Sequence, residues 1–264
     1  MRNFKIKFLL LIGCLAARNL LAAPMLDEPG KAGVDYERVI SKSAGSECYL
    51  ESYKNNRGRA PAKLLRGMVS NFAQEICSPS GASANNLGSP EKDALAYYEV
   101  PAKIENLYAL MIGSAMQESS GGTDCGQDSS APENRTGPKA EAGIFQTSYD
   151  SINKSSELGK LYEDAKAGDV QCFSNFYAAC TGVDKVSGLP RLKNWGSGEG
   201  VNFQKITKSC QGFAAKYHSI MLRVDRKHYG PINTKSDEIK PSCVAMFSEL
   251  RDYMSSNKEI CRSQ

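Results

Sequence analysis

Histidine is nearly absent from this chain: His218 and His228 are the only two in 264 residues. Both fall between 203 and 230, so a Ser-His-Asp arrangement has little to be built from. His218 is expected on the surface of a helix. Zinc sites of the common kinds are excluded too, because no Cys-x-x-Cys pair accompanies the scarce histidine. A glycine-rich phosphate loop is also missing. Gly196-Ser197-Gly198-Glu199-Gly200 alternates glycines, but no strand signal precedes it, and it reads as a loop. The sequence therefore calls for no metal and no cofactor. No apolar run approaches the roughly 20 residues that a membrane-spanning helix needs.

An excess of charge is lacking as well. The formal net charge of +4 comes from the first 23 residues, which hold Arg2, Lys5, Lys7 and Arg18 and no acid. The remainder carries 29 basic and 29 acidic residues, and no Lys/Arg block points to nucleic acid.

Residues 1–23 read as an export signal. Arg2, Lys5 and Lys7 precede an apolar stretch from Phe8 to Ala17, and Leu21-Ala22-Ala23 ends in small residues. Cleavage after Ala23 is the preferred reading. The rival is a lipobox at Leu11-Ile12-Gly13-Cys14, which would anchor Cys14 to lipid. The apolar run before Cys14 is short for that and continues past it. A secreted or periplasmic protein is expected, acting as a monomer.

Cysteine usage agrees with export. Outside the signal lie Cys48, Cys77, Cys125, Cys172, Cys180, Cys210, Cys243 and Cys261. An even count in an exported chain predicts four disulfides, and eight cysteines admit 105 pairings.

Two further segments come after the signal. Residues 24–99 read as an N-terminal extension, irregular to about 59, with one helix from Pro61 to Cys77. Residues 78–91 are rich in Ser, Gly, Asn and Pro and read as a loop. Residues 100–264 read as the main domain. Its helices are placed at 102–118, near 151–167 and 168–180, from 203 to about 226, and near 241–256. The fold class is mainly α, α+β at most, in a single disulfide-bonded domain.

Glu118 is the candidate catalytic residue. Ile104, Tyr108, Met111 and Ala115 form an apolar helical stripe, and the next step of three arrives at 118. A carboxylate there would sit at the last turn of a buried face. Lost hydration and the negative helix end both favour its protonated form. Glycosidic cleavage needs such an acid to protonate the leaving oxygen. The competing reading is a glutamate at a frayed helix end, turned to solvent. The polar loop from Ser119 to Gly137 comes directly after it.

Gln117-Glu118-Ser119-Ser120-Gly121-Gly122 resembles the Glu-Ser-x-Gly motif of goose-type lysozymes and lytic transglycosylases. About 25 residues later, Gly143-Ile144-Phe145-Gln146-Thr147-Ser148 resembles that family's Gly-Leu-Met-Gln segment. The family's Ala-Tyr-Asn-Ala-Gly run has no counterpart, and the nearest substitutes are Asn194-Trp195-Gly196 and Phe213 to Tyr217. The resemblance covers roughly residues 100–220. It extends to secreted, cysteine-rich lysozymes of predatory bacteria that attack deacetylated peptidoglycan.

The resemblance implies a lysozyme-like fold and a secreted hydrolase that degrades cell walls by cutting the β-1,4 bonds of peptidoglycan strands. Glu118 would be the general acid. Ser119, Gln146 and Ser148 would line a sugar groove with Phe145 beneath, and Tyr149 or Trp195 would stack on sugar rings. An inverting hydrolase also needs a base, for which Glu141 comes first, then Asp124 and Asp128. Without one, the substrate's own 6-hydroxyl attacks, as in lytic transglycosylases, giving a 1,6-anhydro product. The non-enzyme alternative is a glycan- or protein-binding module on the same scaffold.

Overall fold

The computed structural model describes residues 33–78, 87–126, 136–172, 180, 194–225, 227 and 230–261. The expected export signal at residues 1–23 with its Cys14, and also Asp128 and His228, lie outside the described residues. So does most of 168–180.

In chain order the elements are α1 (Tyr36–Ser43), a hairpin of β1 (Ser52–Tyr53) and β2 (Gly58–Arg59), α2 (Ala62–Cys77), α3 (Ser89–Tyr97), α4 (Ile104–Ser119), α5 (Ser156–Ala167), α6 (Glu199–Ser209), α7 (Gln211–Val224), α8 (Gly230–Asn233) and α9 (Pro241–Ser256). The described residues are thus mainly helical. Residues 33–99 hold three helices where apolar periodicity marks one. α1 and α3 span only eight and nine residues, too few to repeat a pattern clearly. They are fixed instead by local bonds. The Asp35 side chain accepts the Arg38 N–H (3.2 Å), and Glu91 Oε2 accepts the Gly88 N–H (2.6 Å).

α4 is the centre of the molecule. Every residue from Ile104 to Met116 is buried, so the expected stripe widens to the whole circumference. A helix apolar on all sides has to be surrounded, and α2, α3, α7 and α9 all pack against this one. Phe72, Tyr108 and Phe247 join α2, α4 and α9, with ring centroids 4.9–5.5 Å apart. A second aromatic cluster of Tyr162, Phe203, Phe213 and Tyr217 joins α5, α6 and α7.

The polar groups that α4 buries are answered by neighbours. Asn106 Nδ2 donates to the Pro101 carbonyl (2.7 Å), and Glu105 pairs with Arg251. Ser114 Oγ donates to Asp237 Oδ2 (2.5 Å). Burial pushes the Asp237 carboxyl from 3.8 up to about 7, with Ser114 opposing. The folded chain therefore holds this proton more tightly than the unfolded chain. Its contribution to stability is full below about pH 4 and is lost as pH rises through about 7. A shift of this size amounts to about 4 kcal/mol. Asp237→Asn is expected to remove most of that slope. Urea unfolding at pH 5 and pH 8 should show the wild type weakening more than the variant; parallel losses would exclude Asp237 as the source.

The helix expected over 203–226 is two helices, α6 and α7, broken at Cys210. Its backbone is extended (φ −121°, ψ 91°). Cys210 is bonded to Cys172, whose carbonyl accepts the N–H groups of Gln211 (2.9 Å) and Gly212 (3.5 Å). A partner 38 residues away thus starts α7. The other bridges are Cys48–Cys243, Cys77–Cys261 and Cys125–Cys180. All eight cysteines from Cys48 to Cys261 are paired, which fits an oxidising compartment. Among the described residues, no helix is long and apolar enough to cross a membrane.

Candidate active site

α4 is less tightly enclosed in its last turn, although Ser119 stays buried. Gln117 and Glu118 are half-buried in its last turn. Ser120 (φ 53°) and Gly121 (φ 77°) then adopt left-handed backbone and stop the helix. The Gly121 N–H closes the end on the Ala115 carbonyl (3.1 Å). A Cβ at position 121 would lie 2.6 Å from Pro61 Cδ, so only glycine fits this approach. Glu118 is neither on a fully buried face nor at a frayed end.

The second motif forms a tight loop. Ala142 and Thr147 pair as an antiparallel bridge, exchanging N–H bonds of 2.9 and 3.2 Å. Gly143 (φ 75°) and Gln146 (φ 47°) turn the chain between them. A Cβ on Gly143 would stand 2.3 Å from Thr207 Cγ2, so α6 can approach only a glycine here. The Gly143 N–H donates to the Cys125 carbonyl (2.7 Å).

Ser119 joins the two motifs. It is buried, and its hydroxyl lies 3.0 Å from the Ala115 carbonyl and 2.9 Å from the Ile144 carbonyl. One proton is shared between its own helix and the loop 25 residues on. The segments carrying Glu118, Asp124 and Glu141 therefore converge. Glu141 is half-buried just before the loop. Asp124 Oδ1 accepts the Cys180 N–H (2.5 Å).

The remaining predicted residues are brought into the same region with parts of their chemistry engaged. Gln146 is buried, and its Nε2 donates to the Gly143 carbonyl (2.8 Å). Phe145 is buried and stacks on His218 with centroids 4.1 Å apart and planes within 3°. His218 is thus in the core and not on a helix surface. The stripe of α7 places it beneath the loop. Ser148 Oγ donates to Asp150 Oδ1 (2.6 Å). Tyr149 is half-buried, edge-on to Tyr162 (5.5 Å) and Phe203 (6.1 Å). Trp195 is half-buried and is fixed through Gln204, whose Oε1 accepts the Trp195 N–H (2.8 Å) and whose Nε2 donates back to the Trp195 carbonyl (3.0 Å).

Several residues near the site were not marked by the sequence. Lys208 is buried and donates from Nζ to Asn194 Oδ1 (2.7 Å). Burial lowers its ammonium to about 8, and Asp124 opposes the shift. The hairpin tip Asn55-Asn56 carries positive φ at both residues, the geometry that Asn-rich two-residue turns favour. That signal was readable; its position against α4 was not. Asn55 Nδ2 donates to Gln117 Oε1 (3.4 Å), and Arg57 donates to Ser120 Oγ (3.2 Å). A small crevice opens alongside, lined by Lys63, Met68, Asn71, Thr123, Phe145 and Gln211, among others. Among the described residues no cluster of His, Cys, Asp and Glu could hold a metal ion.

No protein-family profile, curated protein or solved structure matches the chain.

Proposed function

We propose that the protein is an exported peptidoglycan glycosidase of the lysozyme-like kind, with Glu118 as its general acid. The observation that carries this reading is the hydroxyl of Ser119 bonded to the Ile144 carbonyl. It ties the Glu-Ser-x-Gly-like helix end to the Gly143–Ser148 loop, the two segments whose joint resemblance suggested the activity.

Glu118 stands where a protein interior meets solvent, which suits a proton donor to a glycosidic oxygen. It leaves a centre of apolar packing, yet remains half-open to a bound sugar. Gly121 and Gly143 let backbone approach closely on either side. The Gly143–Ser148 loop, held against α6 and α7, supplies one wall. Glu141 is the first choice of base for an inverting hydrolysis, in which water sits between two carboxyls about 6.5–9.5 Å apart. Asp124 is less suited, because one of its oxygens already holds the Cys180 N–H.

Digestion of purified peptidoglycan tests the reading. Soluble muropeptides are expected, and mass spectrometry of their ends divides the mechanisms. Reducing ends assign a base to the site. 1,6-Anhydro ends mean the substrate's own hydroxyl attacks. Release of no fragments would overturn the proposal.

A further inference from the structure

The stretch between Glu51 and Glu75 contains five cations and no acid: Lys54, Arg57, Arg59, Lys63 and Arg66. The remainder of the chain after the signal is therefore net acidic, and positive charge is gathered on this one stretch. Lys54 is answered by Glu238, 3.9 Å away. Arg57, Arg59, Lys63 and Arg66 pair with no carboxylate among the described residues. Arg59, Lys63 and Arg66 are exposed.

This stretch lies along the end of α4. Arg57 reaches Ser120, Pro61 and Leu64 meet Gly121, and Lys63 shares the crevice with Thr123. Arg57 and Lys63 therefore stand beside the segment just after Glu118, with Arg59 and Arg66 within a few residues of them in the chain. The hairpin and the first turns of α2 hold them there: Tyr53 is buried on one face of the hairpin while Ser52 and Arg59 oppose each other on the other.

We infer that this basic face is a second recognition site for peptidoglycan, binding the carboxylates of the stem peptides. The inference rests on the reading of Glu118 as the acid acting on that polymer. A strand laid over Glu118 carries a carboxylate-bearing peptide on every second sugar, next to the bond being cut. Unpaired cations beside the acid complement those carboxylates and would draw the strand into register. A strand whose carboxylates are converted to neutral amides would gain nothing from them. The protein then prefers strands with free stem carboxylates over amidated ones.

The test is cosedimentation of the full mature chain with insoluble peptidoglycan in the cold, in a Glu118→Gln background that spares the polymer. Intact peptidoglycan is compared with the same material after its carboxylates have been converted to amides with a carbodiimide and ammonia, which leaves it cross-linked and insoluble. Binding to intact material should be tighter by on the order of tenfold at low salt, since three exposed ion pairs each contribute modestly. The difference should collapse at high ionic strength, where surface charges are screened. It should also collapse in Arg59→Gln/Lys63→Gln/Arg66→Gln, whose exposed sites leave the fold unaffected, as a matching far-UV spectrum would verify. Equal affinity for both materials, or a difference that survives the triple variant, would overturn the proposal. Failure of the acid assignment reads out separately, as fragment release by Glu118→Gln at the wild-type rate.

Discussion

Glu118→Gln should lower the rate of muropeptide release by about a thousandfold, within the range that general acid catalysis supplies, and leave the chain folded. Glutamine keeps the size and shape of the side chain but has no proton to give to a leaving oxygen. The folding half of the expectation comes from where the residue stands. Glu118 is half-buried in the last turn of α4, beyond the fully buried Ile104–Met116 segment, and glutamine fills the same volume there. The link to the loop runs through the Ser119 hydroxyl and the Ile144 backbone, and the substitution leaves both in place. Release measured by turbidity loss, with thermal unfolding in parallel, checks both halves. An unchanged rate would remove Glu118 from the mechanism. A wild type that binds peptidoglycan but releases nothing would favour a binding module on the same scaffold.

Local pattern went far in some places and stopped in others, for identifiable reasons. α9 matches its apolar spacing almost residue for residue, because it buries one face and shows the other to water, whereas α2 is buried all round from Gly67 to Ala73. α4 was legible as a helix, but its burial on every side was not. A stripe of four positions with apolar flanks says nothing about Asn106, Ala109 or Gly113 on the far side until the surrounding helices are known. The single helix expected over 203–226 failed at Cys210, because the break is imposed by Cys172 and not by a local breaker. The site shows the same division. Its two motifs stand in the sequence, and the structure brings them together. Arg57 and Lys63 reach the site by tertiary contact alone, which neither periodicity nor spacing encodes.

Two of the disulfides should behave as a coupled pair. Cys48–Cys243 and Cys77–Cys261 span 195 and 184 residues and fasten the same two regions of the chain, residues 48–77 and residues 243–261. With both present, removing one releases only a short additional loop. The path from Cys48 to Cys243 through the other bridge runs 29 residues to Cys77 and 18 back from Cys261. Chain entropy for a loop of that size gives a loss of about 4 kcal/mol for Cys48→Ala/Cys243→Ala, and a similar loss for the other pair alone. Removing both releases a loop of nearly the whole domain as well. The joint loss then reaches about 9 kcal/mol, roughly 1 kcal/mol more than the two single losses together. Folded domains have only about 5–15 kcal/mol in total. Either single variant should therefore fold with a lowered urea midpoint, and the fourfold variant should be largely unfolded at 37 °C. The mechanism predicts the sign of the coupling as well as the size of the losses. If the two single losses together exceeded the joint loss, the bridges would be acting through local packing around the buried Cys48 and Cys243, and not by closing the chain on itself.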